Sequence, residues 1–412
     1  IVKCVYEGLL LPIDLALKVE QRYFAEVLQT TEAAMMIRSL FVSMQALGKG
    51  ARRPANVPPQ RIERIGVLGA GFMGAGIAYV AAKAGMEVVL IDRDQEAADK
   101  GKAHSKSLLE GLVKKGRSNA EDMERVLSRI QATPDFGALS TADLVIEAVF
   151  EDRDVKADVT RKAAAAMKPD AIFASNTSTL PISGLADAFP EADRFIGIHF
   201  FSPVDRMMLT EIILGAKTGD RALAVALDFV RAIKKTPIVV NDTRGFFANR
   251  CVLRYMTEAY DMLVEGVPPA MIENAAKFAG MPVGPLALND ETAVDLSHRI
   301  MTAAMRDEGV DAIDPRHFKL IDAMVTEDGR LGRKAGKGFY DYPEKPAKKQ
   351  LWSGLKDKFP QQKPEEVDFD ELKQRFLVTM ALEAARTMEE GVVTDPREAD
   401  VGSILGFGYA PY

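Results

Sequence analysis

The chain has 412 residues, 47% of them hydrophobic and 27% charged, and a formal net charge of −6. This length calls for about two to four domains, and the acidic balance implies no general affinity for nucleic acid. No apolar run approaches the roughly 20 residues of a membrane span. The two cysteines, Cys4 and Cys251, suit a reducing compartment such as the cytoplasm better than a disulfide framework.

The chain starts at Ile1 without a signal-peptide pattern and is read as beginning inside a longer protein. Ile1 to Gly48 reads as helical, with Phe24, Val27, Leu28, Met35, Ile37, Leu40 and Phe41 at mixed three- and four-residue spacing. Gly48 to Gln60 is a basic, proline-containing connector. Residues 1–60 are therefore either a tether from a preceding module or a helical cap packed on the later domains.

Arg64 to Asp92 carries the central signal. An apolar run (Ile65, Val67, Leu68) feeds Gly69-Ala70-Gly71-Phe72-Met73-Gly74, a helical stretch stops at Gly85, and a second run, Val88 to Ile91, ends on Asp92. A glycine-rich turn alone is weak evidence, but strand, turn, helix, strand and terminal acid together are what a dinucleotide site requires. Gly69 permits the turn, Gly71 lets the backbone approach a pyrophosphate, and Gly74 lets helix and strand pack closely. The helix N-terminus favours the phosphates. Asp92 suits the two ribose hydroxyls and repels a 2′-phosphate, so the cofactor is NAD, with Arg93 the one feature pointing the other way.

Up to about Asp242 strands and helices alternate, which predicts an α/β Rossmann-like, doubly wound, mostly parallel sheet over 61–243. Short strands are predicted near Arg129–Thr133, Leu144–Val149, Ala171–Ala174 and Arg194–Phe201, with a helix over Lys156–Met167. Glu147, Glu151, Lys156 and Ser175-Asn176-Thr177-Ser178 fall at or beyond strand ends, where ligands sit. Taken singly, Glu151 and Lys156 read rather as a solvated helix start and the Ser/Asn/Thr turn as a helix cap; their shared place on the ligand side brings the functional reading level with these.

Two apolar strands in RFIGIHFFSPVDRMMLTEIILG flank a turn. Paired as a hairpin centred near Asp205, they bring His199 opposite Glu211, within reach of a hydrogen bond. Such a carboxylate fixes the imidazole tautomer and raises its basicity; a satisfied core histidine is the competing reading. No histidine has metal-ligand spacing, so no metal is expected.

Past Asp242 helices take over, giving an all-α unit over 244–345 that closes on GRKAGKGFYDY. Residues 346–366, with the single Trp352, read as a linker. Cys251–Val267 aligns without a gap to Phe376–Val392, and FAGMPVGP to ILGFGYAP after one insertion, so 367–412 is a partial second copy of the helical unit. A hydride acceptor and an oriented histidine point to alcohol oxidation. Ser178 could hold the substrate oxygen, and Asn249 could donate to the developing carbonyl from across an interdomain cleft, although an asparagine there also suits a helix N-cap.

GAGFMGAGIA, VIEAVFED, SNTSTLPIS, IGIHFFSPVDRMMLTEIILG, DTRGFFANR and GRKAGKGFYDY together resemble the L-3-hydroxyacyl-CoA dehydrogenase family. The lead-in and the duplicated helical domain resemble its multifunctional fatty-acid β-oxidation members, in which an enoyl-CoA hydratase module comes first. The resemblance implies His199 as catalytic base, Glu211 as its partner, Ser178 at the hydroxyl and Asn249 at the substrate. It implies NAD contacts at Met73, Asp92, Glu151 and Lys156, with Ser178 and Ser202 also beside the cofactor, and places Tyr409 against the acyl-CoA. Expected partners are 3-hydroxyacyl-CoA, 3-ketoacyl-CoA and a thiolase subunit; hydratase activity is expected of the longer protein and not of this chain. Two positions depart from the family: Ser202 replaces the usual Asn and Arg244 the usual Pro, which predicts altered affinity before lost activity. The alternatives are a hydroxyacid dehydrogenase acting on a small non-CoA substrate, and a non-catalytic dinucleotide-binding scaffold.

Overall fold

Short runs of β-branched and apolar residues form the eight strands of the main sheet among the described residues: β1 (Arg64–Leu68), β2 (Glu87–Ile91), β3 (Ile130–Thr133), β4 (Leu144–Glu147), β5 (Ile172–Ser175), β6 (Phe195–Phe200), β7 (Leu209–Leu214) and β8 (Thr236–Asn241). The computed structural model describes residues 1–344 and 346–412, with backbone alone at 307 and 308. The chain divides into one unit of Ile1–Arg244, Thr394–Gly406 and Pro411–Tyr412, and a second of Gly245–Val393 and Phe407–Ala410.

In the first unit the strands lie in the order β3-β2-β1-β4-β5-β6-β7-β8. β1 to β6 run parallel, whereas β7 returns antiparallel to β6 and β8 runs parallel to β7. The reversal has a simple cause: a parallel return needs a crossover of about a dozen residues or more, and only 201–208 join β6 to β7. The strand order switches direction between β1 and β4, which opens a crevice at their carboxyl ends. Val67, Leu90, Ile146 and Ile198 of the strands pack in one core with Ile77 of the helix Phe72–Lys83 and Phe229 of the helix Asp220–Ala232. Each such side chain contributes about 1.5–3 kcal/mol on burial.

The lead-in is helical, as its periodicity predicts, but its apolar positions are not core. Helices Val2–Gly8, Ile13–Leu28 and Thr31–Met36 bury no residue, and Phe24 and Phe41 are exposed. Only its last turns contribute, with Leu47 buried. The basic connector is pinned by Arg53, whose guanidinium spans both oxygens of Asp228 at 2.9 Å.

In the second unit the aligned segments lie on the helices Ala248–Val264 and Phe369–Glu389. Arg250 bonds Glu383 (2.8 Å) and Glu390 (2.5 Å); Arg375 bonds Glu258 (2.6 Å) and Glu265 (2.6 Å). These are the same residues at the same offset in each repeat, so each copy clamps the other by an identical device. That reciprocity is what a two-fold relation between duplicated helices produces. The stretch 346–366 is not a bare linker: Trp352 lies under the Arg330 guanidinium at 4.3 Å, Leu355 is buried, and the Gln362 amide donates to Gly266. Trp352 and Leu355 anchor it despite the surrounding charge.

The repeats also carry a buried glutamate at equal distance past Val267 and Val392. Glu273 accepts the Leu286 N–H at 2.8 Å within the second unit. Glu398, in the first unit, accepts the Val239 N–H of β8 at 2.8 Å and pairs with Arg52 at 2.6 Å. Burial pushes its carboxyl up to about 7 in spite of Arg52. The folded state therefore holds this proton to higher pH than the unfolded chain does, so stability falls as pH rises from the ordinary carboxylate range to about 7 and is flat above. Glu398→Gln removes that slope. Relative to the parent, it is expected to gain about 2–3 kcal/mol between pH 5 and 8, read from urea midpoints of both proteins; equal slopes would exclude the titration.

Candidate active site

The glycine turn meets the demands of a dinucleotide cradle. Gly69 has φ +92°, a region costly for other residues, and a Cβ on Gly74 would lie 1.8 Å from the Gly69 carbonyl oxygen. At Gly71 no described atom lies within 4 Å of such a Cβ. Nothing within the described chain fills the space beside Gly71, which leaves the backbone of the turn open to an approaching ligand. Gly71 caps the helix Phe72–Lys83 without a side-chain bond, and its first-turn N–H groups lack intrahelical partners. Asp92 accepts the Ala70 N–H at 2.6 Å and the Arg93 N–H at 2.7 Å, which ties the acid to the turn and leaves carboxylate lone pairs for hydroxyl donors. Met73 is half-buried and packs on the core. These residues fit NAD.

Sequence reasoning missed two glycines that position this turn. A Cβ on Gly101 would meet Ala70 at 2.6 Å, and one on Gly76 would meet the Val204 Cβ at 2.9 Å. The helix that opens at the cradle thus lies directly against the β6–β7 connection. GAGIA, a small-residue repeat, is the only sequence signal for it.

Lys156 is not the solvated half of a surface pair, although Glu151 keeps 36% of its side chain exposed. Asp152 caps the helix Arg153–Ala166, and Lys156, one turn in, points under the sheet end with its side chain 2% exposed. Its ammonium bonds Glu147 at 2.9 and 3.0 Å and Glu151 at 3.1 Å. Glu147, 1% exposed, also accepts the Ser175 hydroxyl. Glu151 accepts from the Thr177 hydroxyl (2.7 Å) and the Ser178 N–H (3.0 Å). Burial raises the Glu151 carboxyl, but Lys156 and these donors outweigh it and hold it below the usual range. The Ser/Asn/Thr turn is therefore not a helix cap; it is held from beneath by a carboxylate, with Ser178 half-buried at its rim. Asn176 extends the bracing by accepting the Phe200 N–H at 2.9 Å, a link that joins the turn to the end of β6.

β6 and β7 pair in the register His199↔Glu211. His199 Nδ1 lies 2.7 Å from Glu211 Oε2, and both side chains are buried, Glu211 completely. The Phe201 ring lies 4.6 Å from the imidazole. A carboxylate at Nδ1 keeps the proton on that nitrogen and the lone pair on Nε2. Ser202 is exposed, next to a cis bond to Pro203.

Asn249 and Tyr409 belong to the second unit. Asn249 is no N-cap: Phe247 holds that place, and Asn249 lies inside the first turn of Ala248–Val264. Tyr409 is half-buried, its hydroxyl donating to the Leu377 carbonyl at 3.2 Å. Elsewhere the tertiary structure gathers Asp261, Asp314 and His317, a cluster that spacing does not predict. Arg316 donates to both carboxylates at 2.8 Å, so a guanidinium already pairs with them.

The 3-hydroxyacyl-CoA dehydrogenase NAD binding domain matches residues 64–243, and the C-terminal domain of the same family matches 245–342. The chain is similar to (S)-3-hydroxybutyryl-CoA dehydrogenase from Ralstonia eutropha, with 36% identity over 69% of this chain and 100% of that one, and a TM-score of 0.64. It is also similar to 3-hydroxybutyryl-CoA dehydrogenase from Escherichia coli K12, with 25% identity, 85% and 90% covered, and a TM-score of 0.74. The dehydrogenase part of multifunctional enzyme 1 from C. elegans matches at 25% identity, with 90% and 86% covered and a TM-score of 0.64. Among the described residues no helix is long and apolar enough to cross a membrane. With its glycine cradle, its acid at the end of β2 and both domains matched, the chain belongs to the NAD-binding 3-hydroxyacyl-CoA dehydrogenase family.

Proposed function

We propose that the chain oxidises L-3-hydroxyacyl-CoA to 3-ketoacyl-CoA in fatty-acid β-oxidation, with His199 as general base and Glu211 orienting it. The observation that carries this reading is the 2.7 Å bond from His199 Nδ1 to a buried Glu211. With that nitrogen protonated, Nε2 takes the proton of the substrate's 3-hydroxyl, and Glu211 stabilises the imidazolium that forms. The chemistry supplied by bound NAD is acceptance of the hydride from the same carbon. Alcohol becomes ketone, and the imidazolium returns its proton to solvent.

In this reading Ser178 holds the substrate oxygen, Asn249 donates to the developing carbonyl, and Tyr409 borders the acyl-CoA. Gly69, Gly71, Gly74 and Asp92 hold the cofactor, with Met73, Glu151, Lys156, Ser178 and Ser202 beside it. The likeness to a dehydrogenase part of a multifunctional enzyme supports a fused partner module; in this reading residues 1–60 are the tail of a hydratase module, and residues 61–243, 244–345 and 367–412 are the cofactor domain and two helical copies. A thiolase is the partner expected to consume the ketoacyl product, in a reducing compartment such as the cytoplasm.

The test is spectrophotometric. Purified chain with acetoacetyl-CoA and NADH should lose absorbance at the nicotinamide band, with NADPH at least about tenfold poorer in kcat/KM because Asp92 faces a 2′-phosphate. No absorbance loss with either cofactor defeats the proposal.

A further inference from the structure

The connection between His199 and Glu211 must hold two strand ends in register while crossing the mouth of the sheet, and few of its own bonds do so. Arg206 and Met207 N–H both donate to the Pro203 carbonyl at 3.1 Å, and the Thr236 N–H donates to Met208 at 2.8 Å. The remaining support comes from outside the connection. Lys235, the residue before β8, is 8% exposed, and its ammonium donates to the Val204 carbonyl at 2.6 Å and to the Met207 carbonyl. No carboxylate bonds it among the described residues; the nearest influence is the charge of Asp205. Val204, whose carbonyl it holds, is the residue packed on Gly76.

A lysine placed this way is an expensive way to satisfy two carbonyls. Burial lowers it to about 8, with Asp205 opposing, so the fold bears a desolvation cost a neutral donor would avoid. What the long side chain and charge supply is a single donor that reaches two carbonyls on opposite sides of the turn. Together they draw the connection onto the helix of the dinucleotide cradle.

We infer that Lys235 is a positioning residue for the dehydrogenase reaction: its ammonium, bridging Val204 and Met207, fixes the β6–β7 connection and thereby the alignment of His199 with Glu211. The inference rests on His199 acting as the base. It concerns the reacting geometry and not ligand affinity, so its loss falls on kcat.

The test uses the whole chain, with Lys235→Met, Lys235→Arg and the neighbouring Lys234→Met, each assayed with acetoacetyl-CoA and NADH. Lys235→Met is expected to lower kcat about 10²-fold, as a misplacement near 1 Å does, with both KM values within about threefold. Lys235→Arg, which restores a buried cation with several donors, recovers most of that loss, and Lys234→Met stays at the parent rate. Parent kcat in Lys235→Met, a loss confined to KM, or no recovery with arginine would each overturn the inference. If Lys235→Met does not fold, Lys235→Gln, which retains a shorter donor, is read by the same criteria. His199→Gln at the parent rate would sink the base assignment itself, whereas an inactive His199→Gln beside a fully active Lys235→Met sinks only the role of Lys235.

Discussion

Replacing His199 with Gln is expected to lower kcat about 10²–10⁴-fold, the range a positioned general base supplies, while NADH binding followed by fluorescence stays unchanged. Glutamine occupies similar volume and can still bond Glu211, so the buried carboxylate is not stranded, but it cannot take a proton. Glu211→Gln probes the other half of the pair. The amide cannot hold the proton on Nδ1 as a carboxylate does, so part of the imidazole population presents an N–H to the substrate hydroxyl. The acid also stabilises the imidazolium, so its loss weakens the base. A fall of about 10²–10⁴-fold is expected, with activity recovering at alkaline pH as the substrate hydroxyl becomes easier to ionise. Turnover in His199→Gln equal to the parent would mean that another group removes the proton.

The second large effect is structural. Lys156→Met leaves Glu147, 1% exposed, facing Glu151 with no cation between them. Removing one partner of a buried ion pair costs about 3–5 kcal/mol because the other charge is left uncompensated. That loss is expected in the chemical denaturation of Lys156→Met at pH 7. It should shrink as pH falls, since protonating Glu151 relieves the repulsion. The sign follows from Glu151: its lowered carboxyl contributes stability that is present above its ordinary range and is lost as pH drops through the folded value. The double variant Glu147→Leu with Lys156→Met should recover more than half the loss, because a well-packed apolar pair can replace a buried salt bridge at little cost. A loss under about 1 kcal/mol in the single variant would indicate a solvated pair. The same substitution slackens the hold of Glu151 on Thr177 and Ser178, so kcat should fall even where the protein remains folded.

These two experiments separate what is chemical from what is scaffolding at one rim of one sheet. Glu147, Glu151, Asn176 and Lys235 each bond a turn that carries or connects a residue of the proposed site. The structure gives none of them a part in proton transfer.

The amino-acid sequence by itself determined whatever depends on neighbours along the chain. Strand, glycine turn, helix and Asp92 follow one another within a single stretch, and each requirement is local: a positive φ at Gly69, a missing Cβ at Gly74, an acid at a strand end. The His199–Glu211 register was legible because a hairpin makes pairing a matter of counting from its turn. The helical duplication was legible as two aligned segments, although not the reciprocal ion pairs that result from it.

Tertiary structure alone decided the environment of each charge. Lys156, Lys235 and Glu398 look in sequence like solvated residues at element ends, because a lysine or glutamate carries no mark of what will pack over it. Their burial is set by segments far away along the chain: Glu398 reaches β8 and Arg52, and Lys235 reaches the turn after His199. The lead-in shows the reverse case, since its apolar periodicity gives helices but cannot say whether anything in the chain covers them. Periodicity reports the shape of a segment; the free energy of a buried charge or an uncovered apolar face depends on partners that only the folded chain brings together.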